Sequence, residues 1–192
     1  MRDADVRRAL HADLRSLHAD DMKNTLFVDE LGLCGEARVD VAVVNGSLSG
    51  FELKSARDTL TRLPGQVNTY SQVLDYASIV TAKNHMKGVL DIVPSWWGIY
   101  CADGDVERLS ITEIRPPKFN EGIQAERLGM LLWRPELLHE LTKRGLDRGV
   151  RSKPRKTMLN RLVESLSLDE LRMIVRETLK ARSNWRSGPT SN

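Results

Sequence analysis

The spacing of apolar residues changes along the chain and predicts a different element at each change. A helical spacing of three or four residues opens the sequence and predicts an amphipathic helix over 5–18, with its apolar stripe at Val6, Leu10, Leu14 and Leu17. The next clear pattern, over 38–44, is rich in β-branched residues and predicts a strand. Asn45-Gly46 after it favours a hairpin turn into a second strand over 48–55.

The pattern then alternates between helical and strand segments as far as Pro117. A helix is predicted over 59–76, and its regular part begins near Leu63 because Pro64 is tolerated only in a first turn. The remaining predictions are a helix over 84–93 and strands over 77–81, 97–101 and 106–112. Beyond Pro117 the chain predicts helices only, over 135–144, 154–165 and 168–181, the last capped by Ser167.

This order predicts an α/β fold, with a mixed central sheet flanked by helices and an all-helical basic C-terminal extension. We expect a core domain over 1–133, the extension over 134–183, and a disordered tail over 184–192.

Composition narrows the class of protein. The chain has 192 residues, of which 41% are hydrophobic and 29% charged, and it holds two cysteines. It has no apolar run long enough to span a membrane, and its charged first segment resembles neither a signal nor a transit peptide. We therefore expect a reduced, soluble, cytoplasmic protein without a membrane partner.

Charge is distributed unevenly between the two parts of the chain. Residues 1–133 carry 15 Lys+Arg against 19 Asp+Glu, whereas residues 134–192 carry 14 against 7. The densest stretch, 143–156, has seven basic residues and one acid. This split indicates contact with a polyanion, for which the candidate residues are Arg151, Lys153, Arg155 and Lys156. A solvated helical face is the alternative.

The hairpin carries the candidate chemistry. A three-residue loop, Asn45 to Ser47, would pair Val44 with Leu48 and set Asp40 opposite Glu52. Lys54 would then share their face, beside the small residues Ala42 and Gly50, which we expect to leave open space. The other face would be a core face of Val39, Val41, Val43, Phe51 and Leu53. A two-residue loop would shift the register and separate the two acids, and Gly46 fits either loop.

Two acids and a lysine on an apolar hairpin require compensation of their charges. Neighbouring buried carboxylates repel each other and resist desolvation unless a cation joins them. A divalent ion such as Mg²⁺ would serve, because it is commonly held by one or two carboxylates with water and phosphate. An Asp–Lys–Glu ion-pair cluster at a sheet edge is the alternative.

The motif Asp40, then Glu52-Leu53-Lys54, resembles the core of the PD-(D/E)XK nuclease superfamily, although Val39 stands where many members have proline. Gln66 and Tyr70 resemble the Q-x-x-x-Y motif of its RecB-like members. Within the superfamily the chain most resembles small bacterial nuclease-like proteins, which share the string ELGL…RVDVAVVNG…E-x-KS…D-T-L-x-R-L-P-x-Q. The resemblance covers about residues 30–182 and implies a restriction-endonuclease-like core.

The resemblance implies a Mg²⁺- or Mn²⁺-dependent deoxyribonuclease. Asp40, Glu52 and the Leu53 carbonyl would hold the metal, and Glu30 is either an additional acid or a surface residue. Lys54 would orient or deprotonate water. Gln66 and Tyr70 would hold the substrate strand or the Lys54 side chain, although Tyr70 also lies on the apolar stripe of its helix. A non-cleaving nucleic-acid-binding module and a protein-docking scaffold are the alternatives, and a homodimer or a larger DNA-processing complex stays open.

Overall fold

The protein is described by a computed structural model that covers residues 2–104 and 108–182. The chain forms two compact units, Met1–Gly122 and Ile123–Asn192. This division falls before the 133/134 boundary expected from the sequence, because a short helix ahead of Trp133 packs with the C-terminal helices. The tail expected over 184–192 lies outside the described residues.

Apart from one additional strand after the first helix, the first unit alternates helices and strands in the expected order. Its helices are α1 (Asp3–Leu17), α2 (Leu63–Ser71) and α3 (Met86–Ile92), and its strands are β1 (Leu26–Leu33), β2 (Ala37–Val44), β3 (Leu48–Lys54), β4 (Tyr76–Ala82), β5 (Gly98–Asp103) and β6 (Ser110–Arg115). The six strands form one sheet in sequence order. The first three strands and the last pair are antiparallel, whereas β3, β4 and β5 run parallel. The α/β class with a mixed sheet is confirmed.

Helix α1 covers one face of this sheet. Its apolar residues Val6, Leu10 and Leu14 are buried, as the helical spacing predicted, but Leu17 at its end is exposed. They pack with four hairpin residues of that face: Val41, Val43, Phe51 and Leu53. Helix α2 lies over the opposite face. Each hairpin side chain therefore points either towards α1 or towards α2.

Helix α2 is shorter than the pattern predicted. It begins at Leu63 with Pro64 in its first turn, as expected, but it ends at Ser71 instead of Tyr76. The residues that follow leave the helix so that the Asp75 carboxylate can accept the backbone N–H of Leu48, at 2.7 Å. This contact ties the start of β3 to the segment that leads into β4.

The hairpin register is the one that a three-residue loop predicts, with Val44 paired to Leu48 and Ala42 to Gly50. Three details of the prediction are wrong. The pairing of β2 with β3 ends at Val41 and Phe51, so Asp40 is not a ladder partner of Glu52. A β-carbon added at Gly50 would lie 2.5 Å from Leu74 Cδ1 and 3.0 Å from Val39 Cγ1, so this position is closely packed and leaves no open space. The same contact places Val39 on the α2 side of the sheet rather than with Val41.

Strand β1 has no counterpart in the sequence-based prediction. Its buried residues are Val28, Leu31 and Leu33, so the alternation changes phase in the middle of the strand. The change coincides with Glu30, whose φ of 61° lies in the left-handed region that residues with a side chain seldom adopt. This irregularity hides the period of two from a pattern search.

The second unit is helical, as expected. It comprises α4 (Ala125–Gly129), α5 (Arg134–Lys143), α6 (Arg155–Val163) and α7 (Leu168–Ala181). Ser167 caps α7 through reciprocal hydrogen bonds with Glu170, which confirms the predicted capping box. No helix in the described ranges is both long and apolar enough to cross a membrane.

Gly50→Ala should lower the free energy of unfolding by about 1–3 kcal/mol, because the added methyl group meets the buried Leu74. Urea denaturation measures the effect. Gly32→Ala is the matched strand control: nothing lies within 4 Å of an added β-carbon there, so a change below about 0.5 kcal/mol is expected. Equal losses in the two variants would contradict the packing account.

Candidate active site

Glu52 and Lys54 form a buried ion pair at the end of β3. Their relative exposures are only 2% and 3%, and the Lys54 ammonium contacts Oε1 of Glu52. Gln66 of α2 bridges the pair: its Nε2 donates to Glu52 Oε1 at 2.6 Å, and its Oε1 accepts from Lys54 Nζ at 3.2 Å. Each charge is therefore compensated inside the network.

Tyr70 completes this network from one turn further along α2. Its hydroxyl group lies 2.6 Å from Glu52 Oε2 and 2.8 Å from the carbonyl oxygen of Arg38. Burial, followed by the charge of Glu52, raises the pKa of Tyr70 well above its usual value, so the phenol keeps its proton. The ring also stacks on the buried Trp97, with centroids 5.6 Å apart. Tyr70 therefore packs in the core, as its place on the apolar stripe predicted, and its polar contacts within the protein are with Glu52 and Arg38. Its contact with a substrate stays a prediction.

Asp40 lies where the β2 ladders are interrupted. The β1–β2 ladder runs through Val39 and Val41 but omits Asp40, and the β2–β3 ladder ends at Val41. Its carboxylate takes the place of a ladder partner, because Oδ2 accepts the backbone N–H of Leu53 at 2.8 Å. Asp40 thus belongs to the hairpin through its side chain, which holds it beside the strand that carries Glu52.

A second charged cluster surrounds Asp40, and its centre is Arg7 of α1. Arg7 Nη2 lies 2.8 Å from Glu30 Oε1, 3.3 Å from Asp3 Oδ2 and 3.4 Å from Asp40 Oδ1. Its other terminal nitrogen donates to the Asp40 carbonyl oxygen. Glu30 is also paired with Arg38, at 2.5 Å. Arg7 was not singled out from the sequence, where it is one of several charged residues between the apolar positions of α1.

The two clusters interact electrostatically. Burial and then the negative charge of Glu52 raise the pKa of Asp40 to about 6, against the lowering effects of Leu53 N–H and Arg7. The structure therefore gathers Glu52, Lys54, Gln66 and Tyr70 into one network. It places Asp40 and Glu30 in a neighbouring one.

Arg7 beside Asp40 does not cancel the effect of burial and of Glu52, which together keep the pKa of Asp40 raised. Across the described parts of the chain, no group of three or more His, Cys, Asp or Glu side chains converges as a metal-binding cluster. Two carboxylates are nevertheless the number that Mg²⁺ commonly takes from a protein.

The residues that follow Lys54 form a tight turn. Asp58 accepts from the backbone N–H and the hydroxyl of Ser55, at 2.7 and 2.6 Å. Asp58 therefore closes this turn and does not cap α2, which is preceded by Arg62 without a side-chain cap. His85 contacts the Ser55 carbonyl at 3.1 Å and packs against this turn.

The four basic candidates of the second unit are not equivalent. Lys153 and Lys156 are exposed. Arg151 is exposed but pairs with Asp147. Arg155 is half-buried, and its guanidinium group donates to the carbonyls of Met130 and Leu132, at 2.5 and 2.8 Å. Arg155 therefore has a structural role at the end of α4.

Comparison with known proteins places the chain in a family. The family model described as bacteriophage P4 protein cII matches residues 2–188. The chain belongs to the bacteriophage P4 protein cII family.

One curated member, Protein cII of Enterobacteria phage P4, is 39% identical over 62 residues. Those residues make up 32% of this chain and 24% of that relative, so the match spans about a quarter of the relative's length. Among solved structures, the SPO1766 protein of unknown function from Silicibacter pomeroyi aligns over 78% of this chain and 90% of its own. Its sequence identity is 18% and its TM-score 0.43.

The raised pKa of Asp40 makes stability depend on pH. A carboxyl group with a higher pKa in the folded state stabilises the fold while protonated, and this contribution is lost as pH rises from about 4 through about 6. We expect Asp40→Asn, which cannot ionise, to gain about 3 kcal/mol relative to the parent protein between pH 4 and pH 7. Urea denaturation in EDTA at several pH values measures this difference. A difference independent of pH would contradict the raised pKa.

Proposed function

We propose that this protein is a divalent-metal-dependent nuclease that hydrolyses DNA phosphodiester bonds. The observation that carries the proposal is the buried Glu52–Lys54 pair, held by Gln66 and Tyr70, next to Asp40, whose pKa is raised by burial and then by Glu52. The arrangement agrees with the resemblance to PD-(D/E)XK nucleases at these four positions and Asp40. A reduced cytoplasmic setting belongs to the same proposal and agrees with Cys34 and Cys101 forming no disulfide bond.

The residues present fit a Mg²⁺ or Mn²⁺ ion. Burial, and then repulsion by the Glu52 carboxylate, raises the pKa of Asp40, and a cation would relieve this repulsion. Asp40, Glu52 and the Leu53 carbonyl would hold the ion, with Glu30 as a more distant acid. When bound, such an ion lowers the pKa of coordinated water and stabilises charge on a phosphate group.

The protein's own residues would position the reacting groups. Lys54 has its ammonium held by Glu52 and Gln66, which restricts it to a defined location from which it can orient a water molecule. Gln66 and Tyr70 act on Glu52 and Lys54, so we assign them as positioning residues. Tyr70 keeps its proton and therefore donates to Glu52 rather than accepting from it.

One observation favours the second candidate, a non-cleaving nucleic-acid-binding module. Both oxygens of Glu52 already have partners within the protein, Gln66 and Lys54 at Oε1 and Tyr70 at Oε2. A saturated, buried carboxylate is also what a purely structural ion pair requires. Cleavage assays separate the two candidates, because only the nuclease needs Asp40 as a metal ligand.

DNA would contact the basic surface of the second unit. Of the four basic candidates, Lys153 and Lys156 are exposed and have no ion pair among the described residues. Arg151 is exposed but shared with Asp147. Phosphate contacts of this kind provide affinity without sequence preference.

Asp40→Asn should abolish Mg²⁺- or Mn²⁺-dependent cleavage while keeping the fold, because the amide oxygen can still accept the N–H of Leu53. The assay uses linear duplex, circular single-stranded and branched DNA, with either metal or with EDTA. Glu52→Gln combined with Lys54→Met should also be inactive. Both charges are removed together because removing one partner leaves the other buried and unpaired.

Asp91→Asn, at an exposed position of α3, is the control and should cleave normally. Retained cleavage in Asp40→Asn would overturn the proposed site. Absence of cleavage in the parent protein under all conditions, with DNA binding retained, would favour the binding module.

Lys153→Gln combined with Lys156→Gln should weaken DNA binding for every sequence and reduce the log–log salt slope by about 1.5, or about 0.7 to 0.9 per phosphate contact. Fluorescence anisotropy at increasing salt measures this. The matched control is Lys23→Gln combined with Lys118→Gln, two exposed lysines of the first unit. Equal slopes in the two double variants would contradict the assignment of the DNA surface. Arg155 is left intact because of its structural hydrogen bonds.

A further inference from the structure

We propose that Arg7 is a positioning residue that competes with the divalent ion for Asp40 and so sets the affinity of the site for metal. This inference rests on the proposed metal site. Helix α1 would then control the metal affinity of the site through Arg7, which is not one of the nuclease-like motif residues. The guanidinium group of Arg7 has unusual surroundings.

Arg7 lies among four carboxylates. Three of them, Asp3, Glu30 and Asp40, lie within 3.4 Å of its Nη2 atom. The fourth, Asp29, lies 3.8 Å from Nη1. The side chain of Arg7 is 18% exposed. It is the main fixed cation on the α1 side of Asp40, where a metal ion would otherwise provide the positive charge.

The backbone of α1 holds this cation in place. Val6, directly before Arg7, is buried in the core, and Leu10 and Leu14 fasten the same helix to the sheet. Arg7 also donates to the carbonyl oxygen of Asp40, so it contacts both the backbone and the side chain of that residue. A guanidinium group anchored in this way has a defined position relative to Asp40.

The contact between Arg7 and the Asp40 carboxylate is the weaker of the two at that group. Asp40 Oδ2 is engaged by Leu53 N–H at 2.8 Å, whereas Oδ1 lies 3.4 Å from Arg7. Oδ1 is therefore the oxygen that a competing cation can take. Arg7 would keep its shorter contact with Glu30, at 2.8 Å.

Glu30 provides an independent sign that this location is specialised. Its φ of 61° is unfavourable for a residue with a side chain, and such backbone strain concentrates at functional sites. The strained position directs Glu30 to Arg7 and Arg38. Glu30 thus keeps a partner for Arg7 when Asp40 binds metal.

The competition has a definite sign. A positive charge next to a cation site disfavours the cation, so removing it should strengthen metal binding. If Arg7 only held the Asp40 carboxylate in its orientation, its removal would make this metal ligand more mobile and weaken metal binding instead. The direction of the change in affinity therefore separates the two roles without any measurement of cleavage.

The experiment measures Mn²⁺ binding to the full-length protein by isothermal titration calorimetry. Arg7→Met, which keeps the aliphatic stem, should bind Mn²⁺ about tenfold more tightly than the parent protein. Arg7→Lys keeps the charge and should bind within about twofold of the parent. Arg8→Met is the matched control, because Arg8 is the next residue and is largely exposed, and its affinity should not change.

Asp40→Asn combined with Arg7→Met should bind Mn²⁺ no better than Asp40→Asn, which locates the competition at Asp40. Unchanged or weaker binding in folded Arg7→Met overturns the inference and leaves the proposed nuclease untouched. Tighter binding without DNA cleavage supports the inference and counts against the nuclease. If neither the parent protein nor Arg7→Met binds Mn²⁺, both the metal site and the inference are wrong.

Discussion

The buried pair of Glu52 and Lys54 is the constraint on which the arrangement of the first unit depends. Two opposite charges at the end of an interior strand are tolerated only when their remaining hydrogen-bonding groups are satisfied. Gln66 and Tyr70 meet this requirement from α2, one helical turn apart. The position of α2 over the sheet is thus coupled to the charge pair, and the stacking of Tyr70 on Trp97 extends the coupling into the apolar core.

Asp40 links this network to the other face of the sheet. Its carboxylate replaces a ladder contact of Leu53, and its carbonyl group and carboxylate both face Arg7 of α1. Asp40, which pairs in neither ladder, is thereby held by Arg7 of α1 and by Leu53 of β3. The left-handed backbone of Glu30 occurs in β1 opposite this interruption. The irregular backbone, the unpaired strand position and the charged groups coincide at one place.

Local sequence patterns predicted the parts of this site that depend on local geometry. The register of the hairpin follows from its loop, and the i, i+4 spacing of Gln66 and Tyr70 follows from their helix. Arg7 and β1 could not be predicted in this way, because their importance arises from contacts between residues far apart in sequence. Val39 and Arg155 were misjudged for the same reason. In the folded protein Val39 lies on the α2 face of the sheet, and Arg155 donates hydrogen bonds to backbone carbonyls.

The carboxyl groups around the hairpin differ in how their charges are paired. Glu52 is matched by Lys54, and Glu30 is shared between Arg7 and Arg38. Asp40 has Arg7 beside it, yet burial and then the charge of Glu52 raise its pKa to about 6. In the proposed metal site, a divalent ion would relieve the repulsion between Asp40 and Glu52 that Arg7 does not cancel.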